Sequence, residues 1–139
     1  MARLYREAPL NGIWEGSGNI IALDVLRAIA RQPETVAVLL DEVRRAQGGD
    51  RRLDGMIARL EAELGASQEH EVRARRIVEH MALCLQASLV VRHSPSSVAD
   101  AFCATRLAGD GGAVFGCLPA GLDRRAIIDR ARMADAADA

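Results

Sequence analysis

The sequence contains few aromatic residues: two phenylalanines, one tyrosine and one tryptophan make up 3% of its 139 residues. Hydrophobic residues nevertheless account for 50% of the chain, so a core must consist of leucine, isoleucine, valine, alanine and methionine. A chain of this length is sufficient for one ordinary hydrophobic core. The aliphatic composition predicts an all-α protein, a bundle in which helices pack on helices.

Cysteine and histidine are also scarce, with three residues of each type. The cysteines, Cys84, Cys103 and Cys117, include no close pair, which argues against a disulfide framework and against a zinc site. We expect Cys84 and Cys103 to be small core residues. The histidines lack metal-ligand partners at helical spacing, so we predict no metal site and expect solvated or core positions for all three. They are His70, His80 and His93.

Long hydrophobic runs and lysine are absent. No uncharged stretch reaches the ~20 residues that span a bilayer, and the N-terminus has no apolar signal-peptide core, which predicts a cytoplasmic protein without membrane association. All 18 basic residues are arginine, and with 19 acidic residues they leave a net charge of -1. This balance argues against a strong overall attraction to nucleic acid, although it leaves room for local basic patches.

Apolar residues recur at steps of three and four along most of the chain, which predicts about six helices. Ser17 and Asp50 are N-cap candidates, Pro33 and Pro95 are suited to the first position of a helix, and Gly65 to a C-terminal cap. The longest pattern, opened by Ser67, predicts the central helix and includes Val72 in its inward stripe. The predicted helices cover about residues 18–31, 33–47, 51–64, 67–91, 95–107 and 123–133, with a glycine-rich loop over 109–121.

Residues 12–19 read Gly-Ile-Trp-Glu-Gly-Ser-Gly-Asn. Glu15 follows an indole and an isoleucine, and partial desolvation by these side chains makes a carboxylate a better proton acceptor. The glycines and Ser17 after it allow a ligand to approach the backbone closely, at the start of a helix. From these residues alone, an acid favoured by the helix dipole is the simpler interpretation of Glu15, and Ser17 and Asn19 are also N-cap candidates.

Residues 5–9 and 14–20 resemble the C-terminal signature of the acyl-CoA dehydrogenases, in which an aromatic residue, Glu, Gly and Thr or Ser precede the last helix of the flavin-binding bundle. Trp14, the pair Gly18-Asn19 and the stretch Leu23 to Arg27 are most similar to the DNA-alkylation-response (AidB-like) branch. The resemblance implies two regions. Residues 1–32 would end the dehydrogenase C-terminal helical domain, and residues 33–139 would form an appended helical domain.

The resemblance also implies the chemistry of a flavin-dependent oxidoreductase. Glu15 occupies the position of the base that removes the α-proton of an acyl-CoA thioester while the β-hydrogen leaves as hydride to FAD. Trp14 and Gly16 match substrate-contacting positions, whereas the stretch that contacts FAD is matched by Ser17, Gly18 and Asn19. In this family most of the flavin pocket precedes the glutamate, and only 14 residues precede it here. We therefore expect the isolated chain to hold FAD weakly and to be inactive.

Two other functions remain open. The appended domain of the AidB-like branch is regarded as its DNA-binding part, and the candidate contacts to double-stranded DNA here are Arg27, Arg31, Arg44, Arg45, Arg51 and Arg52. Acidic neighbours favour a solvated, salt-bridged surface for residues 41–54 instead. The other alternative is a structural or interaction remnant. The predicted helix at 18–31 has an apolar surface that needs covering, and it would pair with another chain or with a second copy in a homo-oligomer.

Overall fold

The computed structural model describes residues 2–12, 18–66, 70–109 and 117–132. Within these ranges the protein contains seven α-helices and no strand, which confirms the all-α prediction. A 3-10 turn, Ala8–Gly12, follows the first helix, and a π-helical turn, Cys103–Leu107, follows the sixth. The helices are α1 (Ala2–Glu7), α2 (Gly18–Arg31), α3 (Glu34–Arg44), α4 (Arg51–Gly65), α5 (Ala74–His93), α6 (Ser96–Phe102) and α7 (Arg124–Ala131).

Several helix boundaries follow from local capping. The side chain of Asp50 accepts a hydrogen bond from the backbone N–H of Arg52 at 2.8 Å, and it therefore caps α4 as predicted. Asp123 caps α7 in the same way, accepting from the N–H of Ala126 at 3.0 Å. Pro33, predicted as the first helical residue, lies one position earlier, at the N-cap of α3, with φ and ψ of -61° and -22°. Because proline lacks an N–H, this position adds no donor to those that a helix start leaves without an intrahelical partner.

Besides the position of Pro33, four predicted details are wrong. The central helix begins at Ala74 and not at Ser67, because residues 70–73 form a turn. Val72 belongs to that turn, so helical periodicity does not apply to it, and it is 85% exposed.

The other two details concern cap residues. Pro95 has an extended ψ of 147° and precedes α6, of which it was predicted to be the first residue. Gly65 is the last residue of α4 and is followed by Ala66 as the C-cap.

The six-residue helix α1 was not predicted. Its described side chains are all exposed, so it has no buried stripe that a periodicity argument could detect.

The core lies around α5, which packs against α2, α3, α4 and α6 and is the central helix, as predicted. The largest fully buried side chains of the core come from α3, α4, α5 and the π-helical turn. They are Leu53, Leu60, Ile77, Val43, Cys84, Cys103 and Ser88. The small residues Ala87 and Ser88 on α5 allow close approach of α3, where the Ser88 hydroxyl donates to the carbonyl of Glu42 at 3.3 Å. In the part of the chain that the structure describes, no helix is long and apolar enough to cross a membrane.

Candidate functional site

Of the predicted site residues 14–19, the structure describes Gly18 and Asn19. Trp14, Glu15, Gly16 and Ser17 lie outside the described residues. Gly18 and Asn19 form the start of α2, and both are exposed. The first N–H groups of a helix have no partner within the helix, so the two residues present polar backbone groups at an accessible helix end.

A cationic side chain from a distant part of the chain lies beside this helix start. Nη2 of Arg75, in the first turn of α5, is 3.9 Å from the position that a Cβ on Gly18 would occupy. The positive end of the α2 dipole and the guanidinium therefore share one region of the surface. Sequence reasoning missed Arg75 because its proximity to Gly18 arises from the packing of α2 on α5.

Further along α2, an open groove of about 520 Å3 separates the helix from the turn that precedes α5. One side is aliphatic, and Arg27, His70 and Glu71 provide polar groups. The volume lies within the range of small-molecule sites. The aliphatic side is formed by Leu23, Leu26, Ile29 and Ala30.

Glu63 is a buried carboxylate that sequence reasoning did not single out. Its Oε2 lies 2.8 Å from Nδ1 of His80, and its Oε1 lies 2.8 Å from Nε of Arg76. Nε2 of His70 lies 3.3 Å from the backbone oxygen of Glu63. His80 is thus a core histidine, one of the two positions predicted for it. Among the described residues, no group of three or more His, Cys, Asp or Glu side chains is arranged to hold a metal ion.

Four of the six arginines predicted to contact DNA form ion pairs. Arg44 lies 2.8 Å from Glu61, and Arg45 lies 3.1 Å from Glu42. Arg52 contacts both Asp50 and Asp100, at 2.6 and 2.8 Å. Arg27 pairs with Asp24 one turn earlier on α2. The structure therefore contains the salt-bridged surface that the acidic neighbours favoured.

The other two predicted arginines, Arg31 and Arg51, are exposed. Neither forms an ion pair with an acidic side chain among the residues that the structure describes. Arg31 ends α2, whereas Arg51 begins α4, so the pair does not lie on one helix.

Cys84 and Cys103 are buried thiols. Burial raises the pKa of Cys84 and of Cys103 to about 11, so both stay protonated near neutral pH and neither is a nucleophile there. Their burial confirms the prediction that they are small core residues. Cys117 is exposed.

The chain is similar to a protein of Escherichia coli (strain K12) named "Putative acyl-CoA dehydrogenase AidB", with 35% identity over 112 residues. The aligned region is 81% of this chain but 20% of that relative, so the chain spans about a fifth of the relative's length. No family model matches the chain. No solved structure matches it. The similarity confirms the predicted relationship to AidB-like acyl-CoA dehydrogenases.

Proposed function

We propose that this chain is the C-terminal portion of a flavin-dependent acyl-CoA dehydrogenase-like oxidoreductase, with Glu15 as its base. The observation that carries the proposal is the 35% identity to a relative that is named a putative acyl-CoA dehydrogenase. In the reaction Glu15 accepts the α-proton of an acyl-CoA thioester. Trp14 and Gly16 contact the substrate, and the proposed contacts to FAD are Ser17, Gly18 and Asn19.

The described end of the segment fits one edge of a flavin site. Gly18 has no side chain that would keep a ring or a phosphate from its backbone, and the guanidinium of Arg75 on α5 lies 3.9 Å from its Cβ position. Asn19 is exposed and offers an amide that donates and accepts hydrogen bonds. When bound, FAD supplies the acceptor for the hydride.

The remaining pocket would come from outside these 139 residues. The relative contains about four-fifths of its length beyond the aligned region. We therefore expect the isolated chain to bind FAD weakly and to lack dehydrogenase activity. In this proposal residues 1–32 close the dehydrogenase bundle, residues 33–139 form the appended domain, and the packing of α2 on α5 joins the two. A cytoplasmic location is part of the same proposal.

This function can be tested with a chimera in which this chain replaces the aligned region of the E. coli relative. We expect the purified chimera to show flavin absorbance and to reduce its flavin with at least one member of a series of straight-chain and branched acyl-CoA thioesters. Glu15→Gln should retain the flavin and abolish its reduction, since the variant keeps the shape of the side chain but cannot accept the proton. Glu79→Gln, an exposed change on α5, is the control. A Glu15→Gln variant with undiminished reduction contradicts the role of Glu15.

Pairing through α2 is a further part of the proposal. Ile20 and Ile21 are 51% and 37% exposed on this helix. Leu23 and Leu26 line the open groove beside them. Together they form an apolar surface that association with the remaining dehydrogenase region, with another chain or with a second copy would cover. Analytical ultracentrifugation of the isolated chain tests self-association, and a strictly monomeric chain at high concentration excludes the second copy.

DNA binding by the appended domain is the second candidate function. The observation that favours it is the exposure of Arg31 and Arg51, neither of which pairs with an acid among the described residues. Arg27 lies one turn before Arg31 and retains further N–H donors beyond its contact with Asp24. Salt-dependent affinity for a double-stranded oligonucleotide tests this candidate, and absence of binding at low ionic strength contradicts it.

A further inference from the structure

We draw no further inference here: the strongest candidate, the groove of about 520 Å3 between α2 and the turn at His70 and Glu71, carries none because nothing in the structure shows what covers it.

Discussion

Glu63 and His80 form a contact of 2.8 Å between carboxylate and imidazole in the interior between α4 and α5. The two residues are only 8% and 9% exposed. Arg76 contacts the second carboxylate oxygen from the same face of α5, so both oxygens of Glu63 have partners. A buried polar group is stable only when it is hydrogen-bonded, and this carboxylate therefore fixes how the end of α4 meets the beginning of α5.

We expect Glu63→Ala to lower the free energy of unfolding by about 3 kcal/mol, because it leaves the buried imidazole of His80 without its partner. Urea unfolding followed by circular dichroism measures the change. Glu79→Ala on the exposed side of α5 is the matched control and should change stability by less than about 0.5 kcal/mol. A double-mutant cycle with His80→Ala isolates the pair, and a coupling energy near zero would show that the contact is unimportant.

Asp50 gives a pH-dependent prediction. Hydrogen bonding from Arg52 is the main cause that holds the pKa of Asp50 below its ordinary value of 3.8. Because the pKa of Asp50 is lower in the folded than in the unfolded chain, its charge stabilises the fold at pH values above the pKa of the unfolded chain. That contribution disappears as the pH falls through the pKa of Asp50 in the folded protein.

Asp50→Asn keeps an N-cap acceptor but removes the charge that faces Arg52. At neutral pH we expect it to lower the free energy of unfolding by about 1 kcal/mol, with the difference from the unmodified protein shrinking below about pH 4. Urea unfolding over a pH series measures this. Asp123→Asn is the control, since Asp123 is also an N-cap but is exposed and forms no ion pair among the described residues. A pH-independent deficit for Asp50→Asn contradicts the prediction.

The thiols should differ strongly in reactivity. Burial raises the pKa of Cys84 and Cys103 to about 11, whereas Cys117 is exposed. We expect one fast equivalent with a chromogenic disulfide reagent near pH 8 in the folded protein, and three after unfolding in urea, because only an accessible thiolate attacks the reagent. Cys117→Ser should remove the fast phase. Fast reaction of a second thiol in the folded protein is the contrary result.

The arginines were interpreted either as contacts to DNA or as part of a salt-bridged surface, and their ion pairs allow these two interpretations to be tested separately. If DNA is bound through the arginines without acidic partners, Arg31→Ala with Arg51→Ala should weaken binding to a double-stranded oligonucleotide and reduce the salt slope by roughly one per lost phosphate contact. Arg44→Ala with Arg45→Ala removes the same formal charge from ion-paired positions, and we expect a smaller effect. Fluorescence anisotropy over a salt series measures both. Equal losses for the two double variants would contradict a specific contribution of Arg31 and Arg51.

The helices were predictable where their signals are local. Helix starts were predicted near Gly18, after Asp50 and near Asp123, from residues within a few positions of each start. The structure begins helices at Gly18 and directly after Asp50 and Asp123. The start of α5 was not predictable in this way. Apolar Val72 continues the periodic pattern although residues 70–73 form a turn with backbone hydrogen bonds from Arg73 to His70 and from Ala74 to Glu71. A pattern of apolar residues cannot distinguish such a turn from helix.

In the candidate site, too, the residues with local sequence signals were predicted and those brought together by packing were not. Glu15 and its neighbours were identified from contiguous residues and their resemblance to one family, and the similarity to the E. coli relative supports that family relationship. Arg75 beside Gly18 was missed, because no local signal connects two residues on different helices. For the arginines at 44–52 the acidic neighbours in the sequence favoured a salt-bridged surface over contacts with phosphate, but they did not identify the partners. The partner of Arg44 on α4 and the contact of Arg52 with Asp100 on α6 appear only in the folded chain.

The sequence by itself determined an all-α protein, the family resemblance and most helix ends, because composition, periodicity and caps act within a few residues. The tertiary structure decided which charges are paired and which are buried. Glu63 meets His80, and Glu42 meets Arg92, only because α3 and α4 pack against α5. Such contacts join residues far apart in the chain, and their energies depend on burial that no local pattern specifies.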